Sequence, residues 1–217
     1  MRTIPFQECL ALMDSEEAPT IIDLREPAAF ADGHLPGAIS IPVETGDEHP
    51  HTELLPSEGA LLLMGGEQAA SDFAGRQEAQ VNDRIVGRME TGVEGWVNAG
   101  GPIHMVITIA ADELAMDLPH DDKILLLDVR PEAEFDEGHV RNAVSVPLAS
   151  LADPGSMAIL EDDCNIYIYG SMASDAVSAA SLIKRQGYHN LRTLEDDWET
   201  IRTQKGIPVE KTAAPLN

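Results

Sequence analysis

The 217-residue chain carries 14 Lys+Arg against 38 Asp+Glu, a formal net charge of −24, and is 43% hydrophobic but only 4% aromatic. This is a globular composition with an aliphatic core expected, and its acidity argues against nucleic acid or an anionic membrane surface as the main partner. No apolar run approaches the ~20 residues of a membrane span, and the first residues lack the apolar stretch of a signal peptide, so the expected compartment is the cytoplasm.

In chain order, residues 6–13 form a first helical segment holding Cys9, where a small buried hydrophobe is the usual role. Residues 19–24 are a short apolar run ending in an acid, Asp23, the pattern of a buried parallel strand. A helical turn over 27–30 is stopped by Gly33, and 38–42 alternates as a second strand. His49 and His51 have a spacing that can begin a metal site. Gly46 and Pro50 make the stretch a solvated loop, no third ligand is evident, and no metal is expected. A third strand, 60–64, leads into the loop Gly65-Gly66-Glu67-Gln68-Ala69-Ala70-Ser71.

Residues 104–110 read as a bridge to the second half. There the strands 123–129, 143–147 and 165–169 recur, with a helical turn over 132–135 stopped by Gly138. The loop Gly170-Ser171-Met172-Ala173-Ser174-Asp175-Ala176 opens an Ala-rich helix over 174–186 that ends at Gly187. A fourth strand over 190–194 precedes Trp198. Cys9 and Cys164 are the two cysteines, too few for a disulfide framework or a Cys-rich zinc site.

These elements repeat. Residues 21–43 align without a gap on 126–148, pairing Asp23 with Asp128, Arg25 with Arg130, Phe30 with Phe135, His34 with His139 and Pro42 with Pro147. The offset of 105 is domain-sized, so the chain is two copies of one α/β domain, 1–105 and 106–217, each a parallel sheet with helices on both faces. Residues 1–105 hold 5 basic and 18 acidic side chains (−13) and the remainder 9 and 20 (−11), so the charge is distributed and not a detachable tail.

Asp-x-Arg, then Phe, Gly-His-Leu/Val and Ala-Ile/Val-Ser-Ile/Val-Pro resembles the N-terminal signature of rhodanese-like domains, and 187–191, Trp198 and 206–208 resemble the family's closing stretch. The resemblance implies an active loop of the form Cys-x-x-x-x-Arg, often with Gly fourth, whose thiolate carries a sulfane sulfur. Laid on this chain, that pattern puts Gly170 on the Cys position, Ala173 on the Gly and Asp175 on the Arg. Gly65, Gln68 and Ala70 take those places in the first copy. Neither loop has a thiol, so no catalytic residue and no cofactor is expected. The same absence removes a Cys-x5-Arg phosphatase. What remains is two vestigial loops, Gly65–Ala70 and Gly170–Asp175, as a ligand or partner site in a binding, regulatory or structural module. Ser171 has no adjacent base in the sequence. Asp23 and Asp128 are expected to cap the following turn, Arg25 and Arg130 to pair with them or with the adjacent helix, and His34 and His139 to be hydrogen-bonded and half-buried.

Two alternatives stay open. One is a sulfurtransferase using Cys9 or Cys164. Cys164, however, lies six positions before Gly170, roughly 20 Å away along a strand, beside Glu161, Asp162 and Asp163. The other is a non-sulfur enzyme built on Glu67 and Asp175. The acidic run Glu195-Asp196-Asp197 reads as a solvated turn that discourages anionic sulfur donors. The pairing also resembles the C-terminal half of fusions to a metallo-β-lactamase-fold persulfide dioxygenase, and 205–211 resembles their end. The metal-binding His-x-His-x-Asp-His stretch is absent, so that resemblance implies a partner of that fold and not its activity.

Overall fold

The computed structural model describes residues 1–43, 51–160 and 163–212. His49 and its loop, Glu161 and Asp162 lie outside them. The chain divides into two compact units, Met1–Met105 and Val106–Asn217.

In unit 1, β1 (Thr3–Ile4) is followed by α1 (Phe6–Met13), β2 (Thr20–Asp23), α2 (Pro27–Asp32) and β3 (Ile39–Ser40). Then come β4 (Leu61–Met64), α3 (Glu67–Arg76), α4 (Ala79–Asn82), β5 (Ile85–Met89) and α5 (Gly92–Asn98). The strands form one parallel sheet in the order β1-β5-β4-β2-β3. Every residue of the central β4 is fully buried, as expected for a strand covered on both faces.

Unit 2 repeats the plan with β6 (Ile107–Ile109), α6 (Ala111–Asp117), β7 (Ile124–Asp128), α7 (Glu132–Glu137), β8 (His139–Val140) and β9 (Val144–Ser145). β10 (Asn165–Tyr169), α8 (Ala173–Arg185), β11 (Leu191–Leu194), α9 (Trp198–Ile201) and β12 (Val209–Glu210) complete it. Its parallel sheet runs β6-β11-β10-β7-β9, and β12 pairs antiparallel with β8. In unit 1 the similar contact is a single antiparallel bridge, His34 to His104.

Two expectations need correction. Residues 104–110 are not simply a bridge: His104 belongs to that contact in unit 1, and Ile107–Ile109 is the edge strand of the second sheet. The core is also not purely aliphatic, because Phe30, Phe73, Tyr167 and Tyr169 are among its most deeply buried side chains.

The turn into the third sheet strand needs a left-handed residue in both units, supplied by Gly37 at φ 76° and Asn142 at φ 65°. It sets β3 and β9 beside β2 and β7, so that all strand carboxyl ends, and both candidate loops, share one edge of their sheet.

Candidate functional site

At the end of β2 and β7 an aspartate and an arginine two residues on make the same clasp. Arg25 Nε donates to Asp23 Oδ1 at 2.9 Å, its Nη2 to Oδ2 at 2.6 Å, and Nη2 also to the Gly33 carbonyl at 2.8 Å. Arg130 repeats this on Asp128 at 3.0 and 2.7 Å and on the Gly138 carbonyl at 2.7 Å. The backbone amide of each arginine donates to the same carboxylate, so the aspartate caps the turn as well as pairing. Both aspartates are fully buried, and burial pushes the Asp23 carboxyl above its ordinary pKa against the pull of Arg25. Each histidine that follows donates from Nδ1 to a carbonyl, His34 to Phe30 at 2.9 Å and His139 to Phe135 at 2.8 Å, and stacks on that phenylalanine. They are 2% and 6% exposed, buried more deeply than expected.

The loops differ. In unit 1, Gly65 has φ 151°, and a Cβ there would lie 3.1 Å from the Leu24 Cβ. The Arg88 guanidinium donates to the Met89 carbonyl at 3.1 Å and reaches the Gly65 carbonyl at 3.4 Å. Glu67 and Gln68 are exposed, Ala69 is half-buried and Ala70 is buried.

In unit 2 the Asp175 carboxylate turns back and accepts the Met172 amide at 3.0 Å, capping α8. A Cβ built on Gly170 would overlap the Asp175 Cβ. Met172 is 51% exposed, Ala173 half-buried and Ser174 buried. The Ser171 hydroxyl donates to Glu134 Oε2 at 3.1 Å, a contact not visible in the sequence, and Glu134 Oε2 lies 3.9 Å from Arg130 Nη1. The Ser171 carbonyl accepts the Trp198 amide at 3.3 Å, tying the loop to the start of α9.

Over this clasp lies an aromatic lid with no counterpart among the described residues of unit 1. The Arg130 guanidinium carbon sits 3.8 Å from the Trp198 ring centroid and 5.9 Å from that of Tyr169, and the two rings stack at 5.8 Å. Tyr169 accepts the Val140 amide through its hydroxyl, and burial with the nearby Asp128 charge raises its pKa. Sequence reasoning missed Glu134, Tyr169 and Trp198 as site residues. The usable signal was their departure from the repeat, since Ala29, Met64 and Val93 stand at the corresponding positions.

The acidic run is more than a solvated turn. Asp196 Oδ2 accepts the Ala111 amide at 2.7 Å, and Asp197 caps α9 through the Thr200 amide at 2.8 Å; hydrogen bonding from the Thr200 side chain first, then from its amide, lowers the Asp197 pKa. Cys9 is buried, its Sγ 3.5 Å from the Ile4 carbonyl, and burial first, then Glu8 and Glu90, raise its thiol pKa. Cys164 immediately precedes β10, while the loop follows that strand. Among the described residues no group of three His, Cys, Asp or Glu side chains is arranged for a metal, and no helix is long and apolar enough to cross a membrane.

The rhodanese-like domain family model matches residues 6–99 and again 110–204. An HTH-type transcriptional regulator of Mycobacterium tuberculosis is 33% identical over 94 residues, 42% of this chain but only 39% of that protein's length. A sulfurtransferase of Allochromatium vinosum is 27% identical over 90 residues, 42% of this chain and 82% of that protein. Among solved structures, a thiosulfate sulfurtransferase from Pseudomonas aeruginosa covers 98% of this chain and 44% of its own at 19% identity, with a TM-score of 0.42. A rhodanese-like domain from Anabaena covers 52% of this chain and 87% of its own at 24% identity, with a TM-score of 0.44.

Proposed function

The chain belongs to the rhodanese-like family through two successive domains, and from that premise we propose that neither domain transfers sulfur and that the pair serves as a binding, regulatory or structural module. The observation that carries this is position 170. It follows the end of β10 and opens the loop into α8, where the family pattern calls for the sulfur-bearing cysteine. Here it is a glycine whose missing side chain would collide with Asp175. A persulfide is an anion that needs free backbone amides. The Met172 amide is already taken by the Asp175 carboxylate. Gly65 supports the same reading in unit 1, because its backbone conformation and the nearby Leu24 both disfavour a side chain there.

The rival sulfurtransferase reading needs a nucleophilic thiol elsewhere, and Cys9 is buried and held protonated. A non-sulfur enzyme on Glu67 and Asp175 is disfavoured because Asp175 is engaged as a helix cap. The relationship to sulfurtransferases makes a partner in sulfur or persulfide metabolism, such as a metallo-β-lactamase-fold persulfide enzyme, the expected setting. The test is thiosulfate-to-cyanide transfer by the purified chain, read as thiocyanate. The rate expected is that of the protein-free control, and thiocyanate formed in proportion to protein, and lost in the Cys-free variant, overturns the reading.

A further inference from the structure

Each sheet has an outer strand at the same place, β1 in unit 1 and β6 in unit 2, and only β1 is guarded. β1 is two residues long, has the Arg2–Glu8 ion pair of 2.6 Å beside it and runs straight into Pro5. Flanking charge and proline keep an open strand edge from pairing with another chain. β6, Ile107-Thr108-Ile109, has neither next to it. It lies in residues 95–111, the longest stretch of the chain without Asp, Glu, Lys or Arg, although 24% of all residues are charged. The Ile109 carbonyl accepts the Glu195 amide at 3.1 Å, so Ile107 and Ile109 turn their backbone groups towards β11. Alternation along the strand then points the Thr108 amide and carbonyl away from the sheet, where neither has a partner among the described residues. Thr108 is exposed, and Ile107 is 56% exposed. At the opposite edges of the two sheets, β3 is buried and β9 half-buried.

We infer that β6 is a self-association edge, at which a second copy of this chain adds its own β6 antiparallel about a two-fold axis at Thr108. The two Thr108 residues then exchange both backbone hydrogen bonds, and Ile107 of each copy lies opposite Ile109 of the other. Charge selects the occupant. Two chains of net charge −24 repel over most of their surfaces, and that repulsion is least where both present an uncharged segment. A basic partner finds no carboxylate in residues 95–111 to pair with, whereas a second copy matches the edge in length, apolarity and lack of charge. Three paired residues bury far less than the roughly 1,200 Å² of a stable complex, so the association is weak and concentration-dependent. The inference stands on the sheet edge alone and holds whether or not the loops transfer sulfur.

The test is sedimentation of the full chain from about 10 μM to about 1 mM, with amide exchange read on the same samples. A reversible monomer–dimer equilibrium is expected, with the Thr108 amide gaining protection as the dimer fills. Added salt screens the remaining repulsion and should tighten the dimer about threefold or more. Thr108→Pro deletes an outward N–H that the sheet does not use, so β11 amides should exchange as before while the Kd rises about tenfold or more. Ile107→Lys lowers the net charge, which by itself favours association, yet a lysine on the edge should weaken the dimer about fivefold. If Thr108→Pro disturbs β11, Ile107→Lys decides alone. A monomer at every concentration, oligomers growing beyond two, or a dimer that both variants leave unchanged would overturn the inference.

Discussion

Arg130 holds Asp128 through two parallel hydrogen bonds of 3.0 and 2.7 Å with both side chains essentially inaccessible, 1% and 0% exposed. Removing one partner leaves the other charge buried and unpaired, so Arg130→Ala should destabilise unit 2 by about 3–5 kcal/mol. Arg25→Ala should cost less, because the Arg25 side chain is 24% exposed and water can reach the pair. Amide hydrogen exchange on β10 and on β4 separates the two effects, and equal losses would contradict this account.

Filling position 170 should be costly unless Asp175 is removed with it. Gly170→Cys is expected to lower unit 2 stability by about 1–3 kcal/mol through overpacking against Asp175. Asp175→Gly gives up a cap but removes the Cβ that a side chain at 170 would overlap, so the double variant should be more stable than the sum of the two changes predicts. A strictly additive denaturation cycle would show that the two positions do not share one space.

The two thiols should respond differently to alkylation on and off the fold. Cys9 is buried and its pKa is raised, so iodoacetamide should modify it about tenfold or more slowly in the folded chain than in denaturant at the same pH. Peptide mapping after timed quenching reads each site separately, and a Cys9 rate unchanged by unfolding would reopen the sulfurtransferase reading.

Alkaline stability should depend on Tyr167. Its hydroxyl donates to Asp117 Oδ2 at 2.7 Å, and burial first, then that hydrogen bond, raises its pKa from 10 to about 12. The folded state therefore holds the proton longer than the unfolded chain. The contribution is whole below about pH 10 and is lost as the pH rises towards 12. Tyr167→Phe should show a shallower loss of stability over that window, with Cys9 common to both proteins, and parallel curves would refute the assignment.

Much of the fold is readable from the pattern of residues. Residues 165–169 and 6–13 coincide with β10 and α1 because a buried strand and a short amphipathic helix leave clear local signals. β1, β6 and β12 leave none: they are two or three residues long and partly exposed, and they exist only through their partners in the sheet or hairpin. The same holds for the site. Asp128 and Arg130 are two residues apart and announce their pairing, whereas Ser171 meets Glu134 across 37 positions. Only the folded chain brings that second pair together.

The matching clasps at Asp23–Arg25 and Asp128–Arg130 fix the end of one strand relative to the glycine that follows the next helix, with the same bonds in both units. The segments 65–70 and 170–175 share only their first glycine. The duplicated frame therefore amounts to a matched pair of sockets, and a hexapeptide cut from one could be grafted into the other while the scaffold around it stays in place.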